Sequence, residues 1–225
     1  MKYYLSHFLK GILAGLAIGL GGLLYILMTY CFKDSLQDLG KILGSILFSV
    51  GLFIVCTFLL SLYTGKIGLI YEEKQSKEFY ISLPIMLVGN AIGAFGFGYI
   101  CFFIFRNTDV YNSALAVANA RLVFDSFLDY LSTALKAFLC GVCVYLAVKS
   151  FSLNRLKPLG IILLVFFVFL FVYCGFQHCI ANMFYFGMAN TMNWNTLINL
   201  LLVILFNSLG PIVGVVLVKL IKGNK

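Results

Sequence analysis

The residues best equipped for chemistry cluster in two short polar interruptions of otherwise apolar stretches, Ser61-Leu62-Tyr63-Thr64-Gly65-Lys66 and Cys174-Gly175-Phe176-Gln177-His178. His178 and Lys136 are the ionisable residues deep in apolar runs. An unpaired polar group in hydrocarbon costs several kcal/mol, so such a residue marks a functional site by default. An imidazole titrates near pH ~6.5 and can hold or pass a proton; the plainer alternative is a neutral ring that cross-links helices through a hydrogen bond. Cys174, His178 and Cys179 lie close in sequence, but no carboxylate and no second ligand cluster accompanies them, so no metal site is expected. The Cys140-x-x-Cys143 pair lacks the loop geometry of a zinc knuckle, and the cysteines within apolar runs read as small packing residues. Without a paired acid or an oxyanion-forming loop the chain does not read as an enzyme, and no cofactor is indicated.

The elements that must position these residues follow from composition. The 225 residues are 62% hydrophobic and 11% charged, with a formal charge of +8 and a mean hydropathy of +1.03. Soluble domains average about 25% charged and 45–50% apolar residues, so a water-soluble protein, a disordered chain and a nucleic-acid partner are excluded, and a lipid bilayer is the expected surrounding. Apolar runs at Gly11 to Phe32, Ile42 to Ile70, Ile81 to Phe105, Thr133 to Val148, Gly160 to Phe184 and Leu197 to Leu220 predict six transmembrane helices in a single transmembrane domain, residues 1–225. All eight acidic residues fall between or outside these runs.

One set of alternate loops collects Lys2, Lys10, Lys66, Lys74, Lys77, Lys149, Arg155, Lys157, Lys219, Lys222 and Lys225, and the other collects Lys33, Lys41, Arg106 and Arg121. The positive-inside rule then places both termini in the cytoplasm, in a multi-pass protein of the cytoplasmic membrane whose first span is a retained helix rather than a signal peptide. The stretch Tyr111 to Asp129 reads instead as an amphipathic helix at the outer surface or a vestibule, with Arg121, Asp125 and Asp129 at four-residue spacing. Three spans per half, in half-repeats of about 1–107 and 114–225, predict an inverted 3+3 repeat with broken second and fifth helices, because matched interruptions of two halves point to a conduction site. Gly11, Gly15 and Gly19, Gly89 and Gly93, and Gly210 and Gly214 form small-residue packing faces. For Asn90, Asn199 and Asn207, helix packing is the preferred role over holding the backbone of broken helices.

The run Gly175-Phe176-Gln177-His178-Cys179-Ile180-Ala181-Asn182-Met183-Phe184 resembles the G-F-E-H-S-x-A-N-M-F signature of the formate/nitrite transporter family. Phe8 to Gly22 is similar to that family's opening helix, Leu62-Tyr63-Thr64 to its L-F-T break, and Gly89-Asn90-Ala91-Ile92-Gly93-Ala94 to its G-N-x-x-G-A third helix. Leu139-Cys140 through Val148 resembles its fourth span, and Asn207-x-x-Gly210 its sixth. The resemblance implies an all-α, aquaporin-like subunit with its own pore, assembled as a homopentamer, that passes small monovalent anions of weak acids such as formate, nitrite or hydrosulfide. It also implies a central histidine at His178, a gating-loop threonine at Thr64, a signature asparagine at Asn182, and hydrophobic constrictions at Phe48, Leu52, Leu62 and Phe171. Two departures stand out: Gln177 occupies the place of the family's glutamate, and Asp125 falls where a vestibule lysine is expected. Arg121 is the nearest basic candidate for that vestibule, and Lys136, which matches the basic residue of the family's F-L-R-G run, is the second.

A bare anion would lose its hydration in such constrictions at a cost that a neutral weak acid avoids. The expectation is therefore that a basic vestibule gathers the anion and a proton is supplied at or near His178. The alternative from another class is a non-transporting membrane assembly protein of the same fold. A water or glycerol channel would carry paired N-P-A motifs, and the sequence has none.

Overall fold

The computed structural model describes residues 1–34, 36–153 and 157–222; Arg155 and Lys225, counted above for orientation, lie outside the described residues. The elements are α1 (Lys2–Cys31), α2 (Gln37–Thr57), α3 (Tyr63–Lys66), α4 (Leu69–Glu72), α5 (Lys77–Phe105), α6 (Asp109–Asn119), α7 (Phe127–Leu153), α8 (Lys157–Tyr173), α9 (Cys179–Ala189), α10 (Trp194–Leu209) and α11 (Pro211–Lys222). Among the described residues there is no strand. In hydrocarbon a helix satisfies its own backbone N–H and C=O groups, which is why uninterrupted apolar runs become helices.

Five helical stretches are long and apolar enough to cross a membrane: Lys2–Cys31, Gln37–Thr57, Lys77–Phe105, Phe127–Ser152 and Trp194–Ile221. The protein is a multi-pass membrane protein. The expected fifth span is not one helix, because Gly160 to Phe184 divides into α8 and α9 around residues 174–178, and the expected second span is regular only to Thr57. Nor do Arg121, Asp125 and Asp129 share a helix. α6 stops at Asn119, and the Asp129 carboxylate accepts from the Ser126 N–H and Oγ, both at 2.8 Å, and the Asp125 N–H at 3.1 Å, which starts α7 afresh.

α1 packs against α2 and α5, and α7 against α8 and α10. Close contact in each group depends on a glycine. A Cβ on Gly93 would lie 2.1 Å from the Ile12 carbonyl oxygen, and one on Gly210 would lie 2.2 Å from that of Phe138. α9 fills the centre, touching α1, α5, α6 and α10, and every one of its residues is buried.

α2 and α8 end in the same way. Leu60 N–H donates to Val55 O (2.9 Å) and Phe176 N–H to Phe171 O (2.8 Å), in each case across a residue in the left-handed region, Leu59 at φ 52° and Gly175 at φ 69°. This is the Schellman termination, whose left-handed position suits glycine because an L side chain there is strained. Gly175→Leu is expected to lower unfolding free energy by about 1–2 kcal/mol, since no atom lies within 4 Å of the added Cβ. Leu59→Gly is expected to leave stability unchanged or higher. Thermal unfolding of the detergent-purified protein distinguishes the two, and equal losses would contradict this account.

Candidate pore site

Each helix that resumes after a break presents N–H groups with no partner in its own turn. Asn90 of α5 meets the first break: its Oδ1 accepts from Tyr63 N–H (2.8 Å), while its Nδ2 donates to the carbonyls of Ser61 (2.9 Å) and Gly11 (2.8 Å). Asn207 of α10 does the same at the second. Its Oδ1 accepts from Cys179 N–H (2.9 Å), and its Nδ2 donates to Gln177 O (2.8 Å) and Ala137 O (2.7 Å). Both asparagines therefore hold broken-helix backbone, the role the sequence ranked second. The correspondence extends to the first helix of each group: Ser61 N–H reaches Lys10 O and Gln177 N–H reaches Lys136 O, both at 3.4 Å. Further, His7 Nδ1 lies 2.8 Å from Ser61 Oγ, and Gln177 Nε2 donates to Thr133 Oγ1 at 3.3 Å.

The two interruptions meet at the centre, where Thr64 Oγ1 and His178 Nε2 stand 2.8 Å apart, both side chains buried. His178 is also the N-cap of α9, its Nδ1 accepting from Ala181 N–H at 3.3 Å. A backbone N–H can only donate, so Nδ1 is the acceptor of a neutral ring and the proton lies on Nε2, directed at Thr64 Oγ1. The threonine hydroxyl hydrogen is then left to donate elsewhere.

Gln177 sits in a buried amide network. Its Oε1 accepts from Asn182 Nδ2 (2.9 Å) and Asn199 Nδ2 (2.8 Å), and Asn182 Nδ2 also donates to Asn199 Oδ1 (2.9 Å). Arg121 closes the network, with Nε donating to Asn182 Oδ1 (3.0 Å), Nη1 to Val117 O, and its backbone carbonyl accepting from Asn199 Nδ2 (2.8 Å). Its guanidinium lies over the Tyr185 ring, Cζ 4.5 Å from the centroid.

Arg121, Asn182, His178, Phe48 and Phe171 line a chamber of about 10 Å³ together with Tyr185. Phe48 and Phe171 meet edge to face, centroids 5.8 Å apart, and Phe171 lies 6.0 Å from the His178 ring. Leu52, one turn from Phe48, is buried outside that lining. A second cavity of about 330 Å³ is lined by Leu62, Gly65, Lys66, Val148, Phe151 and Lys157, among others. His178 lines the Arg121 chamber, while Leu62, Gly65 and Lys66, close to Thr64 in the chain, line the Lys66 chamber, so the Thr64–His178 pair stands between residues of the two. Lys136 enters neither: its side chain is exposed on α7, and its backbone carbonyl alone reaches the site.

The model of the formate/nitrite transporter family matches residues 2–221 of this sequence. The chain belongs to the formate/nitrite transporter family. Family members and structural neighbours are channels and transporters, so this chain is a transport protein and not an enzyme. It is 29% identical to the uncharacterized transporter YrhG of Bacillus subtilis (strain 168), over 98% of this chain and 86% of that protein. It is 23% identical to the formate channel FocB of Escherichia coli (strain K12), over 80% of this chain and 64% of that one. Among solved structures, a pentameric formate channel with formate bound superposes with a TM-score of 0.83 at 24% identity, covering 98% of both chains. An ion channel of the same family gives 0.73 at 19% identity, covering 99% of this chain and 90% of that chain.

Within this formate/nitrite transporter fold, several lining residues were not singled out from sequence. Lys66 follows Thr64-Gly65 directly, so its place beside the break was open to inference. Lys157, Phe151 and Tyr185 carry no local signal, because contacts between distant helices bring them in. Asn199 and Thr133 complete the Gln177 network without belonging to the signature run. Gln177→Leu would leave one N–H each of Asn182 and Asn199 without an acceptor, at about 1–3 kcal/mol apiece. Thermal unfolding is expected to show that loss, and an unchanged midpoint would mean the network contributes nothing.

Proposed function

We propose that this protein is a channel for small monovalent anions of weak acids, with formate, nitrite and hydrosulfide as the candidate substrates, and that it links their passage to a proton across the cytoplasmic membrane. It works as a homopentamer in which each subunit has its own pore, the assembly named for the neighbouring formate channel. Six spans form an aquaporin-like inverted repeat, in which α2 with α3 and α8 with α9 are the two broken crossings, and both termini are cytoplasmic. The matched terminations at Leu59 and Gly175 and the matched Asn90 and Asn207 bonds support this topology.

The observation that carries the functional reading is the buried Thr64–His178 contact between two chambers that each hold a basic residue. Arg121 gathers the anion on one side, and Lys66 and Lys157 face the other. The anion meets the Phe48–Phe171 constriction, where desolvation of a bare charge is costly and a neutral acid passes more easily. His178 Nε2–H donates to Thr64 Oγ1, and the Thr64 hydroxyl donates to a substrate oxygen or sulfur, which holds the substrate at the constriction while a proton from solution neutralises it. Gln177 carries no charge and the His178 ring keeps its one proton on Nε2, so the proton that neutralises the anion comes from the entering solution and is taken up beside His178, not from a neighbouring carboxylate.

Stopped-flow uptake of formate, nitrite and hydrosulfide into proteoliposomes at two external pH values tests this. Native protein is expected to show fast, acid-stimulated flux that His178→Ala abolishes; equal rates at both pH values would remove the proton link. Empty-liposome rates for every anion from folded protein would leave the non-transporting assembly reading. Arg121→Gln is expected to slow uptake several-fold at low anion concentration, with the difference shrinking as salt rises.

A further inference from the structure

We propose that Asn90 and Asn207 are a matched pair of positioning residues, each pinning one pore-facing residue by both of its flanking peptide groups; the proposal rests on the channel reading above. At the first break Asn90 takes the carbonyl of Ser61 and the N–H of Tyr63, so the residue clamped between them is Leu62. At the second, Asn207 takes the carbonyl of Gln177 and the N–H of Cys179, so the clamped residue is His178. The remaining amide hydrogen of each ties the clamp to a carbonyl on α1 or α7, Gly11 or Ala137.

The clamped residues adopt nearly the same backbone: Leu62 at φ −85°, ψ 121° and His178 at φ −105°, ψ 120°. Neither asparagine lines either of the two chambers described, and both side chains are fully buried, so they act through the residues they hold. Three bonds per amide use its acceptor and both donor hydrogens on groups that hydrocarbon cannot satisfy. No other side chain of that length offers one acceptor and two donors in a plane. Packing alone would be met by a leucine of similar volume; holding one residue from both sides would not. Because Thr64 follows Leu62 by two residues and His178 is itself clamped, the two asparagines together set the 2.8 Å Thr64–His178 approach. A misplacement of about 1 Å in a reacting geometry costs on the order of a hundredfold in rate, so small slippage at either clamp should be visible in flux.

The test is a double-mutant cycle on anion flux in proteoliposomes, with assembly checked by native mass spectrometry. The variants are Asn207→Asp, which keeps the acceptor and removes the amide donors, Thr64→Val, and the two combined; a parallel cycle uses Asn90→Asp. Each single change is expected to cut formate flux about tenfold or more, and Thr64→Val is expected to cost less than about twofold further once a clamp is loosened, because the two act as a unit. Independent, multiplying losses would overturn the positioning role while leaving the channel reading intact. Native protein at the empty-liposome rate would instead remove the channel reading and the positioning role with it. Should an aspartate variant not assemble, the cycle is run on Asn207→Ser and Asn90→Ser, which keep one donor and one acceptor. If these also fail to assemble, the asparagines hold the fold rather than the pore, and the proposal is overturned.

Discussion

A helix that breaks inside a bilayer exposes peptide groups that water cannot reach, and every other arrangement at the centre of this molecule depends on how those groups are satisfied. At each break the chain uses the left-handed termination at one end and an asparagine amide from a distant helix at the other. At the start of α9 the Cys179 N–H is met by Asn207 and the Ala181 N–H by the ring of His178 itself. A residue with evident chemistry is thus also part of the backbone's own hydrogen-bond accounting. That double duty fixes the tautomer: with Nδ1 occupied, Nε2–H has one direction to point, and Thr64 stands there.

The two breaks share a frame but not their chemistry. The clamped residue is Leu62 in one and His178 in the other, and the polar partner Thr64 comes two residues after the clamp where Ile180 stands in the second. A frame with the same bonds on both sides therefore sets an apolar residue and a threonine against an imidazole. The surroundings differ as well. Gln177 belongs to a network of four amide and guanidinium side chains reaching Arg121, whereas Ser61 meets the single imidazole of His7. One side of the central contact is a hydrogen-bonded cation in a small chamber; the other is a wider cavity with two lysines.

Membrane class was legible in composition, and family membership in the ten-residue run ending at Phe184, because hydrocarbon leaves few ways to satisfy a backbone. The two interruptions were visible as polar letters in apolar text, and the fold brings them together across 114 residues. Faces were harder. Lys136 looked vestibular because it sits in a span beside the family's motif, yet which side of α7 turns inward is decided by α8 and α10, whose packing no local pattern announces. Arg121 seemed to continue a four-residue ladder with Asp125 and Asp129, but Asp129 spends its carboxylate on Ser126 and Asp125 N–H groups, and the ladder never forms. Asn90, Asn199 and Asn207 were ambiguous for the same reason, since an asparagine in an apolar run looks alike whether it cements two helices or splints a broken one.

The burial of α9 bears on how the chain is made. At 11 residues it is about 16 Å long at a rise of 1.5 Å per residue, roughly half the ~30 Å of a bilayer's hydrocarbon core, and none of its surface is left for lipid. Such a segment has no stable residence in the membrane by itself. Its main neighbours, α1, α5 and α6, are all synthesised before it. Most of the socket for the signature helix thus precedes it in the chain, and α10 with Asn207, which follows it, closes the remainder.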